Sequence, residues 1–176
     1  MKHSALIVVD LNAAIQKIVK NPYPHAWDEI EKNNRLLMSA FLSEARPVYQ
    51  TSVQPKFLPK RWSKAFGRQL ISEIKGTLEV VKFGPSVMTK SDFQLAAHLK
   101  AQGITRLYFS GISTSNGVFK SAKDAAALGF EVVLICDATA DKNASAYEKI
   151  IQEEFPKIGK IKSTKEVLAQ RSDSAD

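Results

Sequence analysis

The chain has 176 residues, 44% of them hydrophobic, a formal net charge of +7 and one cysteine. That length fits a single domain whose core needs no covalent staples. Cys136 alone makes no internal disulfide, the apolar start that ends at Asp10 is too short to span a bilayer, and no signal-peptide cleavage pattern follows it, so a soluble cytoplasmic protein is the expectation. The basic residues are spread over Lys17–Lys20, Lys56–Lys64 and Lys157–Lys165 with no nucleic-acid motif beside them. Neither nucleic acid nor a membrane is therefore expected as a partner, and the positive balance suits a small anionic molecule.

Ser4–Asp10 is a continuous apolar run ending in an acid, the pattern of a strand buried on both faces of a parallel sheet. Trp27–Glu44 sets Ile30, Leu37, Phe41 and Leu42 among charges and reads as a helix. Pro47–Ser52 is a second strand. Gln54–Gly67 is the longest irregular stretch, rich in Lys and carrying Phe57, Trp62 and Phe66, the composition of a lid, a pocket wall or an interface. Leu78–Lys82 is a third strand, and Ser91 is placed to cap a helix running through Phe93, Leu95 and Leu99 to Gly103. Arg106–Ser110 is a fourth strand, followed by the small-residue turn Gly111–Gly117. Asn116–Leu128 is an Ala-rich helix with Gly129 as a left-handed cap. Glu131–Asp137 is a fifth strand, Ala144–Glu154 a helix stopping before Pro156, and Lys160–Lys162 a short sixth strand. Ser163 or Thr164 caps a last helix with Glu166 close behind. Residues 171–176 read as a disordered tail, which leaves 1–170 as one domain.

Strands alternating with helices predict a three-layer α/β/α sandwich around a mostly parallel six-stranded sheet. Such sheets place their sites beyond the carboxyl ends of the strands, which singles out Asp10, Ser52–Gln54, Lys82 and Ser113–Gly117. A dinucleotide-binding reading lacks its glycine-rich turn, because Leu11, Asn12 and Ala13 follow Asp10.

Asp10 and Lys82 end buried strands and are natural partners across one crevice, where a charged residue is costly unless paired. Their pairing can hold a proton or orient a water, although a lone lysine there also snorkels to solvent. The turn Gly111–Gly117 opens a helix whose first N–H groups make an anion or oxyanion site, or simply a polar strand-to-helix turn.

Taken together, the segments around Asp10 and Lys82, the Gly111–Gly117 turn, and the run through Ala122, Asp124, Ala125, Gly129, Phe130, Asp137 and Ala138 resemble the isochorismatase-like, or cysteine hydrolase, family. The resemblance covers nearly the whole chain. It implies the family's α/β/α fold, and it makes Asp10 and Lys82 two members of the catalytic set, with Gly117 at the place of the catalytic cysteine. It further implies a cis peptide at Ile112–Ser113 and oxyanion donors in the Ser113 and Gly117 amides, with Asn116 in the same turn. Substrate contacts fall to Phe83 and Ser86 after the third strand and to Gln54, Phe57 and Trp62 after the second.

A glycine at position 117 removes the covalent thiolate route. Cys136, inside the fifth strand, reads as an inert core thiol. His3, His25 and His98 are far apart in sequence, so no metal is expected, and no cofactor. Two readings of function stand side by side. One is a cysteine-independent hydrolase of a small anionic substrate, in the manner of the family branch in which Asp protonates a vinyl ether and water completes the cleavage. The other is a non-catalytic binding protein on the same scaffold. The resemblance also implies a homo-oligomer, a dimer or larger.

Overall fold

The computed structural model describes residues 3–53 and 68–170. Gln54, Phe57, Trp62 and the tail 171–176 lie outside the described residues.

The elements run β1 (Ser4–Val9), α1 (Ala13–Ile18), α2 (Trp27–Ser43), β2 (Val48–Val53), β3 (Leu78–Lys82), α3 (Leu95–Ala101), β4 (Arg106–Ile112), α4 (Phe119–Ala127), β5 (Glu131–Ala140), α5 (Ala144–Lys149), β6 (Lys160–Lys162) and α6 (Thr164–Ala169). The six strands form one sheet in the order β3-β2-β1-β4-β5-β6, and every pair is parallel. β1 is central and buried at all its positions, as its unbroken apolar run requires. Alternate residues feed two cores. Ala5, Ile7 and Val9 pack with Leu95 and Leu99 of α3 and Ala122 and Ala125 of α4. Leu6 and Val8 pack with Ile30, Leu37, Met38 and Phe41 of α2 and with Val167 of α6. Helices thus cover both faces, giving the three-layer sandwich.

The strand order reverses direction between β1 and β4. In open parallel sheets the loops leaving two such strands diverge to opposite faces and open a crevice at their carboxyl ends. Here those loops begin at Asp10 and at Ser113.

Several local expectations change. Ser91 does not cap α3: its backbone bridges Lys82, and its hydroxyl donates to the Phe93 carbonyl, so Gln94 is the cap and the helix begins at Leu95. The helix expected from Asn116 opens instead with a π-helical turn, Thr114–Val118, before α4. β4 runs on to Ile112 and β5 to Ala140, past a register shift between Phe109 and Gly111. α1, capped by the Asn12 side chain on the Ile15 N–H, was not read from the sequence at all. Gly129 does close α4, at φ +90°, with the Gly129 and Phe130 N–H groups donating back to Ala126 and Ala125. Ser163 and Glu166 form a reciprocal capping box at α6.

Candidate functional site

Asp10 sits one residue past β1 in a left-handed backbone conformation, φ +50°. Asp is among the few residues that tolerate this region. The turn is held by the Asp10 N–H, which donates to the Thr51 carbonyl at 3.2 Å. Thr51, on the neighbouring strand, also donates its hydroxyl to Asp10 Oδ1 at 3.1 Å. The other carboxylate oxygen, Oδ2, lies 2.6 Å from Lys82 Nζ. Both side chains are buried, 7% and 3% exposed. Burial pushes the Asp10 carboxyl above its ordinary range, and Lys82 and the Thr51 hydroxyl draw it only part of the way back.

Lys82 is the last residue of β3, two strands away from β1. Its ammonium also donates to the Pro85 carbonyl at 3.1 Å. The loop after β3 folds back through Phe83 N–H to Lys90 O and Asp92 N–H to Val81 O, which sets Pro85 over the lysine. The two flanking residues named from the sequence behave differently. Ser86 is buried but uses its Oγ to accept from the Met88 N–H, and Phe83 is 41% exposed.

The third part is the turn after β4. Gly111 takes φ +101°, and a β-carbon on it would fall 2.1 Å from the Val9 carbonyl oxygen, so only glycine fits against β1 here. The Ile112–Ser113 peptide is cis. Asn116 and Val118 N–H groups both donate to the Ser113 carbonyl. Asp141, 2% exposed, accepts the Ser115 N–H at 2.8 Å and the Ser115 hydroxyl at 2.7 Å. Thr139 ties Thr114 to the Gly111 carbonyl from β5. The Ser113 and Gly117 amides are not among these donors. Asn116 is exposed, and Ile112 is 1% exposed in the core, where it supports the turn.

Gly117 closes the arrangement. A β-carbon built on it would stand 3.0 Å from Lys82 Nζ, 3.0 Å from Val9 Cγ1 and 3.4 Å from Asp10 Oδ2. The structure therefore brings Asp10, Lys82 and position 117 to one point, and adds Thr51 and Asp141, which the sequence reading missed. Thr51 lies within the stretch read as a strand, and Asp141 ends the Asp137–Asp141 run, but neither residue's partner is near it in sequence.

The isochorismatase domain model matches residues 4–166. The chain belongs to the isochorismatase family. It is 27% identical over 185 residues to an uncharacterized isochorismatase family protein, YecD, of Escherichia coli O157:H7, covering 95% of each. An isochorismatase family protein of Burkholderia thailandensis has the same fold at a TM-score of 0.78, with 25% identity over 96% of this chain and 95% of that one. The pyrazinamidase of Pyrococcus horikoshii, solved in complex with zinc, superposes at a TM-score of 0.76 with 22% identity over 92% of this chain and 99% of that one, a likeness of fold.

The residues of this family member do not fit a metal of that kind. His3 bonds the Gly103 carbonyl, His25 pairs with Glu29, and His98 lies edge-on to Tyr49 and Phe93, three separate places. Among the described residues no three His, Cys, Asp or Glu side chains converge, and residues 54–67 contain none of these types. Cys136 corrects the sequence reading in one respect: it is partly exposed rather than core. Burial and neighbouring Asp137 push its thiol up, away from the thiolate form. None of the described helices is long and apolar enough to cross a membrane.

Proposed function

We propose that the chain is a hydrolase working without a protein nucleophile, on a vinyl ether in a small anionic substrate. The observation that carries this reading is the position of Gly117 against Asp10 and Lys82. Where a nucleophilic side chain would stand there is only the glycine, a few tenths of an ångström short of the room a methyl needs, so a substrate atom enters by displacing the Lys82 side chain, next to a carboxyl whose proton affinity burial raises.

A raised carboxyl is suited to general-acid work near neutral pH. Asp10 gives its proton to the terminal vinyl carbon, and the electron pair of the double bond forms the new C–H bond. The ether oxygen shares the resulting positive charge. Water adds to the cationic carbon and returns a proton to the Asp10 carboxylate. The hemiketal then breaks into an alcohol and a carbonyl compound. Lys82 holds the substrate's anionic group with the N–H not given to Asp10 or Pro85, and the Ser113 and Gly117 amides receive the oxygen.

The non-catalytic reading draws on one observation, that Lys82 already has two protein partners and the Asp10 carboxylate two donors. Ligand-induced thermal stabilisation separates the readings when coupled to turnover. A small carboxylate-bearing vinyl ether at ~100 times its dissociation constant stabilises the fold by about 2.7 kcal/mol. The hydrolase reading expects that shift in the wild type, its loss in Lys82→Ala, and product formation. Stabilisation without product favours a binding protein, and no stabilisation across carboxylates and vinyl ethers overturns the substrate class.

A further inference from the structure

A cavity of about 420 Å3 lies at the opposite end of the sheet from Asp10. Its size falls within the ~300–1,000 Å3 of small-molecule pockets. Arg106 and Glu131 are the first residues of β4 and β5, so the cavity opens where those strands begin, while the Asp10 crevice opens where strands end. The register explains its composition. Tyr108 pairs with Val133 and Val133 with Lys160, while Arg106 pairs with Glu131. Lys162, two residues beyond Lys160, projects to the same face. Ile161 between them packs into the core on the other side.

Among the described residues this end of the face is open because its helix is short. Thr164 is pinned to Asp137 Oδ1 through its N–H and hydroxyl, towards the carboxyl end of β5. α6 then runs for six residues to Ala169. That is ~9 Å of helix over a ten-residue strand of ~33 Å.

The charges are unequally committed. The Arg106 guanidinium gives Nε and Nη2 to Glu131 Oε2, at 2.8 and 2.6 Å. Glu166, on α6, has its Oε2 occupied by the Ser163 N–H and hydroxyl. Lys160 and Lys162 form no ion pair among the described residues, although Lys162 is near enough to Glu166 to help draw its carboxyl down. The two lysines therefore line the cavity together with the apolar residues Val132, Val133 and Ile158.

We infer that this cavity is a second ligand site, for a small organic carboxylate with an apolar body. Lys160 and Lys162 bind the carboxylate at the mouth and the walls cover the apolar part. Occupancy here leaves the Asp10 crevice free, so this site and the hydrolase reading stand or fall separately.

Benzoate is the probe, with benzyl alcohol as its neutral counterpart, in residue-resolved 1H–15N titrations of the full chain. The expected result is saturable shifts at the Glu131, Val133 and Lys160–Lys162 amides with benzoate, at least ~10-fold weaker with benzyl alcohol, as loss of a charge-assisted contact implies. In Lys160→Ala/Lys162→Ala, which alters only side chains at the mouth, the benzoate affinity at these amides falls by a similar factor. Asp10→Asn leaves it unchanged. The inference is overturned by equal binding of both probes, by shifts confined to the Ser113–Gly117 turn, by the absence of a saturable shift at these amides, or by undiminished binding in the double variant.

Discussion

Gly117 and Lys82 meet across the crevice: a β-carbon on the glycine would lie 3.0 Å from the lysine ammonium. Asp10 Oδ2 is 2.6 Å from the same nitrogen. The first contact fixes how much space a substrate has, and the second fixes what that space is lined with. Each is open to change by one substitution.

Gly117→Ala places a methyl where the substrate is proposed to lie. Its nearest neighbours are the Lys82 ammonium, held by Asp10 and Pro85, and the Val9 methyl, each of which must give by a few tenths of an ångström. The expected outcome is a melting temperature within a few degrees of wild type and a fall in kcat/KM of ~10-fold or more, since an ångström of misplacement costs up to ~100-fold. Steady-state kinetics beside a thermal melt measure both.

The two partners of the buried pair respond unequally. Lys82→Met leaves the Asp10 carboxyl buried without its cation, a loss of about 3–5 kcal/mol. Asp10→Asn mimics the protonated acid. Because the folded state holds the Asp10 proton above the ordinary 3.8, the group's contribution favours folding at low pH and is lost as pH rises through the folded-state value. Asp10→Asn is therefore expected to match the wild type near pH 4 and to exceed it near pH 7, while Asp10→Asn/Lys82→Met recovers most of the loss of the lysine variant. Urea unfolding at the two pH values reads these differences.

Thr51→Val deletes the hydroxyl that donates to Asp10 Oδ1. That bond favours the charged carboxylate, so its loss raises the Asp10 proton affinity further. For a reaction that needs the acid form, the descending limb of kcat/KM against pH moves to higher pH in Thr51→Val. A packing role alone lowers the rate without moving the limb.

Asp141→Ala removes the acceptor of the Ser115 N–H, the Ser115 hydroxyl and the Asn143 N–H. Leaving such donors unsatisfied costs about 1–3 kcal/mol. The turn loosens, so kcat is expected to fall more than substrate affinity, and Asp141→Asn to restore part of it by accepting from Ser115.

The order of elements was legible because β1 is an unbroken apolar run, buried at every position as the centre of a parallel sheet requires, and because strand ends mark where such a sheet places side chains. That logic reached Asp10 and Lys82. It did not reach Thr51, whose bond to Asp10 spans 41 residues and exists only through the parallel β1–β2 register. Asp141 was missed for the same reason, since β5 was taken to end at Asp137, whereas the register shift after Phe109 carries it on to Ala140. α1 escaped because six residues with no buried position leave no periodicity to read. Ser91 misled because a serine ahead of an apolar repeat resembles a cap, while tertiary pairing with Lys82 had claimed its backbone.

The most direct measurement is hydrolysis of a carboxylate-bearing vinyl ether in D2O by wild type and by Asp10→Asn, with the carbonyl product followed by NMR. The account predicts turnover by the wild type, deuterium on the carbon that was the vinyl terminus, and a rate at least ~100-fold lower in Asp10→Asn, the usual scale of general-acid catalysis. Equal rates in the two proteins, or bound ether that is never cleaved by the wild type, would contradict it.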